Sequence, residues 1–176
     1  MRILGLDASS KSFGWALYDT SKDHIFASGV IPLRGNDLGE KLTTIYDELR
    51  KLYSEFYPDD IVIEDIYLKN VKTIETLSEV RGAARLAVWP EPLHKISTNS
   101  MKSGIGLTKA MQDPEVKAKI ADLKATLTTS QYKEGMRKIK KQLVMDIVNK
   151  QFGLCLTCDD ESDACAIAYT YAKTLK

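Results

Sequence analysis

A chain of 176 residues with 44% hydrophobic and 28% charged side chains is long enough to bury a core. Its ordinary make-up excludes fibrous and disordered classes, and three cysteines, an odd number, exclude a disulfide framework. The apolar runs are too short to span a bilayer and Asp7 interrupts the first where a cleavable signal would continue, so one cytoplasmic domain over 1–176 is expected, with no membrane partner.

The first apolar run, Ile3, Leu4 and Leu6, reads as a buried strand that closes on Asp7. Residues 13–19 (FGWALYD) and 25–32 give two more strands joined by short polar turns, so the three form an antiparallel meander. Leu38, Leu42, Ile45, Leu49, Leu52 and Phe56 recur every three or four residues, which predicts a helix capped by Asn36 or Asp37 and stopped before Pro58. Ile61 to Glu64 is apolar on both faces, as a central parallel strand would be. A helix is predicted over 71–89 with Val71, Ile74, Leu77 and Leu86 as its apolar positions and a small Gly82-Ala83-Ala84 patch, followed by a short strand over 93–97.

Residues 107–135 are polar and lysine-rich, with Asp113-Pro114 as a helix start, and are expected to form a helical insertion protruding from the core. Another helix is predicted over 136–152, turned inward by Ile139, Leu143, Val144, Ile147 and Val148 and stopped by Gly153; the last runs over 160–173. The whole is an α/β fold: a mixed five-stranded sheet flanked by helices, three strands antiparallel and two parallel, with the first strand beside the fourth.

That adjacency would join Asp7 to Glu64. Asp160 and Asp163, three apart on a helix, share one face and can aim at the same place. Gathered carboxylates repel unless cations sit between them, and hard divalent ions such as Mg²⁺ take oxygen ligands, which points to metal-dependent phosphate-ester hydrolysis. Asp65, Asp159 and Glu161 are neighbours that compete for the same roles, and Asp160 could instead serve as a helix cap. Cys155 and Cys158 form a CxxC with no second pair and no histidine at zinc spacing, so they read as incidental thiols. Net charge is +1, yet residues 95–150 hold 12 Lys or Arg against 5 Asp or Glu, a local +7 that leaves −6 elsewhere. A basic stretch beside an acidic cluster suits a phosphodiester substrate; a solvated helical face would look similar.

The segments ILGLDASSKSFGWAL, IVIEDIYLKNVKTIETLSEVRGAAR and DESDACAIA, in this order, resemble the RuvC family of Holliday junction resolvases, which have the ribonuclease H-like fold. The resemblance implies an endonuclease that cuts four-way DNA junctions by paired hydrolysis, leaving 5′-phosphate and 3′-hydroxyl ends. It implies two Mg²⁺ ions, with Mn²⁺ able to substitute, on Asp7, Glu64, Asp160 and Asp163. Lys141 matches the family lysine near the scissile phosphate by its spacing to Val144 and Val148, with Lys138 and Lys140 as substitutes. Lys102 resembles a second family lysine before a glycine-rich turn, and Lys109 joins these as a DNA contact. Tyr67 matches an aromatic that stacks on bases at the junction centre, a contact worth about 1–3 kcal/mol. A homodimer paired through the 71–89 helix is implied as well, acting in a bacterial cell or a phage-infected host, at the nucleoid. Competing readings are a broader nuclease for forks and flaps, a junction-binding module without activity, and an actin-like nucleotide-binding protein.

Overall fold

The computed structural model describes residues 1–9, 11–35, 37–65 and 71–175. Its sheet has the order β3-β2-β1-β4-β5, from β1 (Arg2–Ala8), β2 (Ser12–Asp19), β3 (His24–Pro32), β4 (Asp60–Glu64) and β5 (Leu93–Ile96). The meander pairs antiparallel, whereas β1–β4 and β4–β5 are parallel, as expected. Seven helices complete the described residues: α1 (Leu38–Phe56), α2 (Val71–Ala87), α3 (Thr98–Gly104), α4 (Leu107–Ala110), α5 (Pro114–Thr126), α6 (Thr129–Phe152) and α7 (Asp159–Thr174). None is long and apolar enough to cross a membrane.

Strand alternation divides the core in two. Leu4, Leu6, Leu17, Ile61 and Ile63 pack against α1 and α2 on one face. Ile3, Ala16, Tyr18 and Val62 pack against α7, α6 and α3 on the other. Full burial of an aliphatic side chain contributes about 1.5–3 kcal/mol, so either face alone carries substantial stability. Asp37 caps α1 by accepting from the Glu40 N–H at 2.9 Å, and Ile45 and Leu49 of the predicted stripe are fully buried.

Three helical readings need correction. In α2 the buried positions are Val80, Ala84 and Ala87, while Val71 and Leu86 are 71% and 67% exposed. Val80, Ala84 and Ala87 join the core that α2 shares with α1, its main packing partner, so the inward face is set by small and β-branched residues and not by the predicted leucine stripe. Helix α6 begins at Thr129, seven residues before the predicted start, because Thr128 and Gln131 form a reciprocal capping box. The short α3, capped by Ser97, had no apolar periodicity to announce it. Helix α5 buries no side chain and packs on α6.

Candidate functional site

Two consequences of parity bring acids together. Ile3 and Gly5 point to the α7 side of β1, so Asp7 does too; Val62 points there from β4, so Glu64 does too. Leu6 pairs with Ile63 in the parallel register, which sets Asp7 beside Glu64 one step on, at the adjacent ends of two neighbouring strands.

Helix α7 then crosses this face at very short range. A Cβ on Gly5 would stand 2.4 Å from the Ala164 carbonyl oxygen, and one on Gly14 2.0 Å from that of Asp160. Gly14 is the antiparallel partner of Asp7, so the missing side chain opposite that acid is what admits the first turn of α7. Asp160 and Asp163 arrive on that turn.

Two of the carboxylates, Asp7 and Asp163, feel the charge of their acidic neighbours. Asp7, only 8% exposed, titrates well above the usual carboxylate range: burial is the main cause, followed by the charges of Asp163, Glu64 and Asp160, with Lys141 opposing them. Asp163 is pushed up from 3.8 to about 6 by burial and then by Glu64, while Lys141 and Lys102 pull it down and Asp160 pushes it up. Among the described residues no three of the acidic, histidine or cysteine side chains close on one point as a finished coordination shell. Like charges around one pocket hold apart until a cation joins them. An all-oxygen donor set with a buried, mutually repelling centre fits hard divalent ions.

Each rival acid has a partner of its own. Asp65 pairs with Arg81 of α2 at 3.0 Å. Asp159 forms an ion pair with Lys141. Glu161 accepts from the Ser28 hydroxyl at 2.7 Å, toward β3. Asp160 accepts from the Ser12 hydroxyl and is not the helix cap, since Cys158 holds that position without a side-chain bond.

Of the lysines, Lys141 and Lys102 are those whose charge the buried acids feel. Lys109, Lys138 and Lys140 lie exposed and are not among the main influences on either acid. Tyr67 lies outside the described residues. Sequence reasoning missed Ser12, Gly14 and Arg81 as parts of this site. Only the register opposite Asp7 could have pointed to Ser12 and Gly14, while Arg81 was visible merely as part of a motif.

A mixed sheet in the order 3-2-1-4-5, with acids at the ends of β1 and β4 and on the helix that crosses them, defines the ribonuclease H-like class. The sequence profile of crossover junction endodeoxyribonuclease RuvC matches residues 3–124, and the chain belongs to that family. Helix α4 and most of α5 fall within the matched residues. The crossover junction endodeoxyribonuclease RuvC of Fusobacterium nucleatum is 29% identical over 182 residues, covering 99% of this chain and 82% of that protein. The Campylobacter concisus protein is 28% identical, covering 100% of this chain and 99% of its own. The structure of Thermus thermophilus RuvC in complex with a Holliday junction superposes with a TM-score of 0.72 at 15% identity, covering 99% of this chain and 96% of that one. The yeast mitochondrial Holliday junction resolvase Ydc2 has the same fold at a TM-score of 0.54 and 13% identity, covering 98% of this chain and 79% of that one.

Proposed function

We propose that this chain is an endonuclease that resolves four-way DNA junctions, using Asp7, Glu64, Asp160 and Asp163 to hold two divalent ions, Mg²⁺ or Mn²⁺. The observation that carries the reading is that buried Asp7 and Asp163 both feel the charges of Glu64 and Asp160, where the ends of β1 and β4 meet the start of α7, in a member of the RuvC family. When bound, the ions supply Lewis-acid stabilisation and an activated water for phosphodiester hydrolysis.

The chain's own residues do the rest. Asp7, deepest of the four, offers its two oxygens at the centre of the pocket, with Glu64 and Asp163 completing the donor set. Ser12 donates to Asp160 and so fixes the direction of that carboxylate at the rim. Lys141, tethered by Asp159, presents a fixed cation to a phosphate whose charge grows in the transition state. A lysine ammonium has three donors, so the tether leaves two for DNA. Lys102 offsets part of the negative charge around Asp163. The exposed Lys109, Lys138 and Lys140 contact backbone phosphates further out, and Tyr67 stacks on bases at the crossover. The lysine-rich segment 107–135 extends this contact surface as a helical insertion. The products carry 5′-phosphate and 3′-hydroxyl ends.

A junction has near two-fold symmetry, and a homodimer supplies two pockets in that relation. Helix α2 supports this, because Leu86 and Trp89, just beyond its end, stand 67% and 63% exposed near the open Gly82 position. Action would be in the cytoplasm, at DNA.

Labelled four-way junction, fork, flap and linear duplex, each incubated with Mg²⁺, Mn²⁺ or EDTA, test the proposal. Paired nicks on opposing strands of the four-way substrate, absent in EDTA, are expected. Equal cutting of forks and flaps would replace junction selectivity with a general branched-DNA activity, and no cutting at all would refute catalysis.

A further inference from the structure

Two acids stand side by side at the end of β4, and only one of them can serve the pocket. Parity sends the Glu64 side chain toward α7, leaving Asp65 to leave the strand toward α2. One side chain touches both residues of this switch. Arg81 Nη2 donates to the Glu64 carbonyl oxygen at 2.9 Å and to Asp65 Oδ1 at 3.0 Å. The Asp65 N–H meanwhile donates to the Ile96 carbonyl at 2.7 Å, extending the bridge to β5 by one residue.

Arg81 is an expensive choice for a merely structural strut. Its side chain is 15% exposed against 51% for Asp65, and its Nε is a buried donor without a hydrogen-bond partner among the described residues. A buried cation with incomplete hydrogen bonding is no more stabilising than an apolar side chain of similar volume. A planar guanidinium, however, grips two acceptors in one fixed relation, which an apolar residue or a flexible ammonium does not. Both of its acceptors flank the Glu64 side chain, one on that residue's own carbonyl and one on the next residue.

We propose that Arg81 is the positioning residue for Glu64: by clamping the Glu64 carbonyl and the Asp65 carboxylate it fixes the strand end, and so the aim of the Glu64 side chain into the acid pocket. The inference rests on the reading of the four acids as a divalent-ion site, and Arg81 acts there through Glu64.

The test measures Mn²⁺ binding by titration calorimetry in wild type, R81M, R81K, D65N and E64Q. Thermal unfolding and four-way-junction affinity in EDTA are measured alongside. R81M is expected to weaken Mn²⁺ about 10–100-fold, the scale of a lost outer-shell partner, with junction affinity in EDTA unchanged within about twofold. D65N should weaken it by roughly threefold, since the amide oxygen still accepts from Arg81 but without the charge that strengthens the bond, and R81K should recover part of the R81M loss. Wild-type Mn²⁺ affinity in R81M, with E64Q deficient, overturns the role of Arg81 and leaves the acid pocket standing. Wild-type affinity in E64Q overturns the pocket itself, and the inference with it. If R81M does not fold, R81K and D65N decide: unchanged Mn²⁺ binding in both overturns the proposal, and weakened binding in both supports it.

Discussion

Replacing Gly14 with alanine should cost more activity than any other single methyl group in the protein. The new Cβ would lie 2.0 Å from the Asp160 carbonyl oxygen, 2.5 Å from its carbon and 3.2 Å from the Glu161 nitrogen, all backbone atoms that no rotamer change can move. Restoring ordinary contact at about 3.4 Å requires β2 and the first turn of α7 to separate by about 1.4 Å, a shift that carries Asp160 and Asp163 away from Asp7. Overpacking of this kind destabilises by about 1–3 kcal/mol, which for a chain of this size lowers Tm by roughly 2–12 °C. A displacement of about 1 Å at a catalytic constellation costs about 100-fold in rate. Initial rates of junction cleavage under saturating Mg²⁺, with Tm measured in parallel, read both effects at a temperature where the variant is folded. G14A cutting within threefold of wild type at unchanged Tm would refute the claim that this close crossing places the acids.

The other expectations follow from charge and exposure. Asp163 is raised from 3.8 to about 6 in the folded chain, so the native state binds the extra proton between those values; metal-free stability should fall as pH rises through that window. Asp7 is raised in the same direction, so Mg²⁺ should raise Tm more at pH 7.5 than at pH 5, and an equal shift at both would contradict the coupling. K141M should lower cleavage about 100–1000-fold with junction binding little changed, because one fixed cation at developing charge carries that much. D159N, which breaks only a half-exposed tether worth about 1 kcal/mol or less, should stay within about tenfold of wild type. L86D should turn a dimer into a monomer in light scattering; a wild-type monomer with and without junction DNA would sink the paired-site scheme.

Much of the architecture was readable because strand parity and turn spacing are local. The runs ending at Asp7 and Glu64 carried their own orientation, and the meander order put β1 beside β4. What stayed ambiguous depended on distances between elements. Asp159 and Asp160 share the first turn of α7, and only the contact with Ser12 and Gly14 separates them. Lys138, Lys140 and Lys141 are equivalent in composition, and only the phase of α6 against α7 shows that Lys141 pairs with Asp159. The inward face of α2 was misread because Val80, Ala84 and Ala87 pack where the leucine stripe was expected, and the α6 start because a capping box outweighs a polar first turn. Arg81 was invisible as a clamp: its partners are a main-chain carbonyl and an acid 16 residues earlier.

Divalent-ion binding to wild type and D7N, followed by calorimetry without DNA, bears most directly on whether the fold assembles an ion pocket from separate stretches of chain. Two Mn²⁺ per wild-type chain and a severe loss in D7N, with the variant still folded and still binding junction DNA, are predicted. Equal Mn²⁺ uptake by both proteins would contradict the account.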